Sequence, residues 1–263
     1  MERLRKKVIL RMENKIFNQK TLKIMKNYPI LILFLILISS CTKTINFYEE
    51  SQYIEIKKGI LYYKGVPFSG KHIKYYENGQ LELKETYKKG RRDGFREEYY
   101  ENGQLKFKTN YKEDSPDGLL EEYYENGQLK LKENYKEGRR DGLSEYYNEN
   151  GQLELKETYK KGRRDGLREY YNENGQLKFK SNYKDGELDG SYELYYENGQ
   201  LEQKSNYKDG EPDGSYEEYY ENGQLKKKGN NKKGLREGLW EEYYENGQLN
   251  FTGNFKDGHY VRS

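Results

Sequence analysis

The segment Glu-Asn-Gly-Gln-Leu at 77–81 returns seven more times without one insertion. Its glycines stand at Gly79, Gly103, Gly127, Gly151, Gly175, Gly199, Gly223 and Gly247, always 24 residues apart. A fixed period of that size excludes a single core built from unlike segments and demands a repeat architecture, each unit stable only against its neighbours. Asn-Gly is also the strongest short hairpin signal, because both residues tolerate the positive φ of a tight turn. One β-hairpin per repeat is therefore expected, with Asn78, Asn102, Asn126, Asn150, Asn174, Asn198, Asn222 and Asn246 preceding the eight glycines as structural turn residues.

A second glycine series keeps the same phase at Gly70, Gly94, Gly118, Gly142, Gly166, Gly190, Gly214 and Gly238. A looser third series precedes it, from Gly90 to Gly258, with Asp114 as the exception. The tight Asn-Gly turn thus alternates with a longer connection such as 88–94, and the strands are expected over 81–87 and 95–100.

Comparing copies suggests the register. Four residues before each turn glycine stands tyrosine, from Tyr75 to Tyr243, and two residues after it leucine, from Leu81 to Leu249. A three-residue Glu-Asn-Gly loop with a glycine bulge sets these two opposite each other. Simple alternation from there predicts a packed face carrying both ladders together with Leu83, Phe107, Leu131, Leu155, Phe179 and Phe251, and with Phe95, Leu119, Leu143, Leu167 and Leu239. A glutamate series from Glu97 to Glu241 falls on the same face and needs partners there. The opposite, wet face is expected to hold a lysine file, Lys84, Lys108, Lys132, Lys156, Lys180, Lys204 and Lys228, beside further tyrosines such as Tyr76, Tyr100 and Tyr124. These lysines and tyrosines form the candidate binding face.

Mean hydropathy is −1.30, a value that suggests disorder, but thirty tyrosines and the strict periodicity argue otherwise, since tyrosines supply apolar area with polar tips and can hold a thin sheet. The expected fold is all-β: an elongated, single-layer, twisted sheet of tandem 24-residue hairpins, spanning about 75–80 Å at ~4.8 Å per strand. Residues 53–70 read as a degenerate N-terminal capping repeat, 71–258 as eight repeats and 259–263 as a tail. The formal charge of +3 misleads, because residues 1–40 hold nine Lys/Arg and two Asp/Glu, which leaves the remainder at −4. That balance argues against nucleic acid as a partner.

Ile30 to Ile38 is an unbroken apolar run, too short to span a bilayer and right for the core of a signal peptide. It leads into Ile38-Ser39-Ser40-Cys41, which resembles a bacterial lipobox: an aliphatic residue, two small ones, then the cysteine that takes the lipid. Cys41 is the only cysteine, so it forms no internal disulfide. The expectation is a leader over 1–40, translation starting at Met25, lipidation of Cys41, a polar tether over 41–52, and a protein anchored outside the cytoplasm, periplasmic or at the cell surface.

Units of the form Asp-Gly-Leu-x-Glu-Tyr-Tyr-Glu-Asn-Gly-Gln-Leu-Lys-x-Lys-x-Asn-Tyr-Lys-x-Gly resemble the variant MORN repeat over about residues 59–258. The resemblance implies a hairpin sheet and an interaction role. It also extends to bacterial proteins grouped as YwqK-type antitoxin components, for which it implies neutralisation of a partner toxin.

Catalysis needs a unique constellation, whereas nearly every feature here recurs seven or eight times, so an enzyme is not expected. The two histidines, His72 and His259, read as strand or tail residues. Acidic glycine turns such as 185–190 could suggest calcium, but equivalent turns carry Arg91-Arg92 and Arg163-Arg164, whose cations oppose it; no metal and no cofactor is expected. The functional readings are a protein-interaction scaffold, an antitoxin or immunity component, and a glycan- or cell-wall-binding module.

Overall fold

Two kinds of turn alternate along the chain, and their backbone requirements explain where each strand begins and ends. In the computed structural model, which describes residues 43–262, Gly79 lies at φ 86°. Its amide donates to the Tyr76 carbonyl (2.9 Å), and the Tyr76 amide donates to the Gln80 carbonyl (2.8 Å). This is the three-residue loop with a glycine bulge, and Tyr75 does pair with Leu81.

The second turn differs from expectation. Lys89 (φ 51°) and Gly90 (φ 79°) are both left-handed, and Lys88 pairs directly with Arg91. The connection is a two-residue type I′ turn, not a long one over 88–94. Lys or Glu at a position that normally calls for Asn, Asp or Gly disguises it in most copies, although Asp185-Gly186, Asp209-Gly210 and Asp257-Gly258 carry the ordinary signal. The strands accordingly run Leu81–Lys88 and Arg91–Tyr99. Gly94, at φ 118°, lies inside the second, at a bulge where Glu85 pairs with Arg96 but Tyr87 pairs with Arg92.

The resulting elements start with β1 (Thr44–Asn46), a helical turn over Phe47–Glu50 and a 3-10 turn over Ser51–Tyr53. Then come β2 (Ile54–Lys57), β3 (Ile60–Tyr63), β4 (Val66–Pro67), β5 (Gly70–Tyr75), β6 (Leu81–Lys88), β7 (Arg91–Tyr99), β8 (Leu105–Lys112), β9 (Ser115–Pro116) and β10 (Gly118–Tyr123). The alternation continues to β20 (Leu235–Tyr243), β21 (Leu249–Lys256) and β22 (His259–Val261). From β5 onward each strand is antiparallel to its neighbour in the sheet, and β9 and β10 are two pieces of the one partner of β8, parted at Asp117. With β1 these make one open 19-stranded sheet. The expectation of an all-β fold of tandem hairpins holds.

Where the polar tether was expected, Thr44–Asn46 instead pairs parallel with β5 and buries Ile45 completely. β2, β3 and β4 form a separate small sheet. Its Leu61 and Tyr63, with Phe68 just after β4, join Ile45 in an apolar cluster, with Tyr87 against it. The Leu61 amide donates to the Gly90 carbonyl (2.9 Å), which seats this sheet on the type I′ turn at Lys89-Gly90. A Cβ on Gly90 would stand 2.4 Å from Ile60 Cγ2, so no other residue fits that approach. The leader, Met25 and Cys41 lie outside the described residues. Among those described, no helix is long and apolar enough to cross a membrane.

Candidate interaction faces

A bulge after every turn decides which side chains share a face. Tyr75 pairs with Leu81, yet Lys74 pairs with Leu83, so Glu82 is an extra residue and the alternation reverses there. Lys84, Phe95 and Glu97 therefore lie on the Tyr75 face, while Leu83, Glu85, Tyr87, Arg92 and Arg96 lie on the other. The expected division is corrected in both directions. The lysine file belongs with the tyrosine and leucine ladders, and Leu83 and Phe107 belong opposite. Phe95, at 69 % exposed, and Leu119 and Leu239 are exposed rather than packed.

On the ladder face the recurring glutamate finds its partners. Lys84 Nζ stands 2.9 Å from Glu97 Oε2, Lys228 2.6 Å from Glu241 and Lys204 3.3 Å from Glu193; Lys108 pairs with Glu121. The next ladder tyrosine donates to the same carboxylate, Tyr123 to Glu121 and Tyr243 to Glu241 at 2.9 Å, and Tyr195 to Glu193 at 2.8 Å. Burial opposes ionisation of Glu121, but the Lys108 ammonium and the Tyr123 hydroxyl outweigh it and hold the carboxyl below its usual range. Lys132, Lys156 and Lys180 stand opposite Glu145, Glu169 and Glu193 in the same register.

Tyr76, Tyr100 and Tyr124 are not on this face. Tyr100 and Tyr124 lie under Lys106 and Lys130, and the hydroxyls of all three donate to the carbonyls of Tyr99, Tyr123 and Tyr147, one repeat further on. The candidate binding residues are thus divided between two faces, and most of their polar tips are engaged within the sheet. The turn asparagines are engaged too: Asn78 Oδ1 accepts from the Gln80 amide (2.9 Å), and Asn78 Nδ2 donates to the Glu101 carbonyl of the following turn (2.9 Å). Asn102, Asn126, Asn198 and Asn222 repeat both bonds. Asn174 and Asn246 keep the first, and at Asn150 the preceding Asn148 takes that part instead.

The model of one family, described as MORN repeat variant, matches residues 69–89, 92–113, 116–137, 140–161, 164–185, 188–209, 212–232 and 236–257, well over half of the chain. The chain belongs to the MORN repeat variant family. Repeats of this family are generally protein- or membrane-interaction modules and generally non-catalytic. No curated protein matches the chain.

The ladder face varies in one column, from Phe95 and Leu119 to Ser191 and Ser215, and the larger changes between these MORN repeats lie on the opposite face. Its floor is one column, occupied in turn by Glu85, Thr109, Glu133, Glu157, Ser181, Ser205, Gly229 and Gly253, all buried but the half-buried Gly229. In the early repeats the floor is ionic, Thr109 apart. Glu157, 2 % exposed, accepts from the Tyr159 hydroxyl (2.7 Å) and pairs with Arg164 Nε (2.9 Å) and Arg168 Nε (2.7 Å). Glu133 takes Arg140, Tyr135, Ser144 and Tyr146, and Glu85 takes His72, Tyr87, Arg92 and Arg96. Burial works against ionisation of Glu85, but the bond to His72 and the Arg96 guanidinium more than offset it and its carboxyl titrates low. The second arginine of each pair therefore serves a buried carboxylate rather than a solvated loop.

In the late repeats of this MORN array the floor is small and the walls aromatic. Tyr192, Tyr216 and Trp240 replace Arg96 and Ser144 in the facing column. A Cβ on Gly229 would stand 2.2 Å from Trp240 Cδ2, so the glycine exists for the indole above it. Phe179 stacks between Tyr170 (5.5 Å) and Tyr192 (6.5 Å), with Arg168 4.8 Å over its ring; Arg236 lies 4.5 Å over Trp240. The variable columns carry this signal in the sequence, but only once Glu82 is known to be a bulge residue.

Proposed function

We propose that the chain is a non-catalytic protein-interaction scaffold, anchored outside the cytoplasm by a lipid on Cys41, whose variable face reads the partner. The observation that carries this reading is the division of labour between faces. The ladder face repeats one Lys-Glu-Tyr arrangement and spends its polar groups on itself, whereas the opposite face changes from buried ion pairs to stacked rings along the array. Weak contacts summed over several repeats suit such a surface. Repetition also argues against catalysis, since among the described residues most polar clusters recur from one repeat to another.

Neutralisation of a partner toxin, implied by the likeness to YwqK-type antitoxins, is a narrower form of this reading and requires a toxin gene beside this one. Glycan binding is the other class. It is disfavoured because the faces of Tyr170, Phe179 and Tyr192 cover one another and the guanidiniums of Arg168 and Arg236 cover Phe179 and Trp240, leaving few ring faces for a sugar. Two experiments test the proposal. Radiolabelled palmitate should enter the chain and be lost in Cys41→Ser; an unlabelled wild type contradicts the anchor. Cross-linked capture from intact cells should yield one stoichiometric protein, and retention only on a polysaccharide array contradicts the scaffold.

A further inference from the structure

Two neighbouring repeats lack a side chain that the others use to hold the turn that follows. Tyr76, Tyr100, Tyr124, Tyr196 and Tyr220 donate to the carbonyls of Tyr99, Tyr123, Tyr147, Tyr219 and Tyr243, each one repeat further on, at 2.7–2.9 Å. The fourth and fifth copies carry Asn148 and Asn172 at this position. Asparagine is too short to make the same reach, and Asn148 folds back into its own turn, where its Oδ1 accepts from the Asn150 and Gln152 amides, both at 3.0 Å. Among the described residues, no side chain donates to the Tyr171 or Tyr195 carbonyl.

The lysine beside each slot tells the same story. Lys106, Lys130 and Lys226 lie 5.6, 5.7 and 5.6 Å over Tyr100, Tyr124 and Tyr220. Lys178, their equivalent beside Asn172, lies over Tyr170 instead, at 5.8 Å. A groove of about 450 Å³ joins the two slots, with Glu154 and Tyr171 bordering the first and Asn172, Lys178 and Glu197 the second. The grooves at Tyr76 and Tyr100 have the chain's own ring in their wall. Among the described residues, no ion pair engages Glu154, Glu173 or Glu197, so three free carboxylates line this groove against one lysine.

We propose that the two slots receive tyrosine side chains of a partner protein, whose phenols donate to the Tyr171 and Tyr195 carbonyls as the chain's own tyrosines do in the other repeats; the proposal rests on the scaffold reading. Successive slots are one hairpin apart, about 10 Å at ~4.8 Å per strand. Three residues of polyproline II cover about 9 Å and return the side chain to the same side. The segment recognised is therefore Tyr-x-x-Tyr in that conformation, with basic neighbours that complement Glu154 and Glu197.

The probe is a fluorescent peptide, Lys-Tyr-Ala-Pro-Tyr-Lys, followed by anisotropy against the full chain, beside the same peptide with both tyrosines replaced by phenylalanine. Loss of two phenol hydrogen bonds should weaken binding roughly tenfold. Chain carrying Asn148→Tyr and Asn172→Tyr fills both slots from within, so it should lose the tyrosine peptide while its melting temperature stays equal or rises. Absence of binding, equal binding of the two peptides, or retention of the tyrosine peptide by the filled chain overturns the proposal. If cross-linked capture from cells yields a protein that the filled chain still holds, the slot proposal fails while the scaffold reading stands.

Discussion

At the scale of single residues, the buried glutamates are the most consequential positions. Glu157 is enclosed by two arginines and a tyrosine, so Glu157→Gln leaves both guanidiniums without their counterion. A loss of about 2 kcal/mol is expected in urea unfolding, less than the roughly 3–5 kcal/mol of a fully buried pair because both arginines reach solvent. Ser205→Ala, in the same column, removes only the acceptor of the half-buried Gln203 amide (3.1 Å) and should cost less, about 0.5–1 kcal/mol. Titration bounds the stable range on both sides. The folded carboxyls of Glu85, Glu121, Glu193 and Glu218 titrate below their ordinary value, so their contribution is complete above pH ~5 and is lost as pH falls through the lowered values. Burial pushes Tyr87, Tyr146, Tyr195 and Tyr219 up to about 12, so the neutral phenols favour the fold below pH ~10 and that stability drains as pH rises toward 12. Circular dichroism followed beside tyrosinate absorbance should show ionisation and unfolding together in the alkaline range. Ordinary tyrosine titration within an intact sheet would contradict this.

At the scale of the hairpin, glycine acts in two distinct ways. Gly151 is required by its left-handed turn, and Gly151→Ala should cost about 1 kcal/mol. Gly229 has no such φ and is required by Trp240, so Gly229→Ala should cost about 1–3 kcal/mol through overpacking, and Trp240→Leu should relieve most of it. A double-mutant cycle separates the two causes: coupling to Trp240 is expected for Gly229 alone. These elements also show what was legible in the sequence. The Glu-Asn-Gly loop, its bulge and the pairing of Tyr75 with Leu81 follow from the invariant positions. The type I′ turn is hidden at Lys89-Gly90, because lysine rarely occupies its left-handed position, but the equivalent Asp185-Gly186, Asp209-Gly210 and Asp257-Gly258 carried its signal. The bulge at Glu82 leaves no composition signal at all, and missing it exchanges two faces, which is how Lys84 and Leu83 came to be expected on the wrong sides.

At the scale of the molecule, stability is a sum over neighbouring repeats, so excising one 24-residue unit from the middle of the array should leave a folded sheet with a lower melting temperature. Excising 23 residues should lower it further, since the strand at the junction would turn its side chains to the wrong face while the repeats on either side keep their own pairing. The two faces then divide structure from recognition, and that division is the central claim. It is tested most directly by cross-linked capture on intact cells with two sets of truncations matched for stability. One set is Lys132→Ala, Lys156→Ala and Lys180→Ala on the ladder face; the other is Leu188→Ala, Gln203→Ala and Lys227→Ala on the variable face. The account predicts that the first set retains the captured protein and the second loses it. Retention by the second set with loss by the first would contradict it.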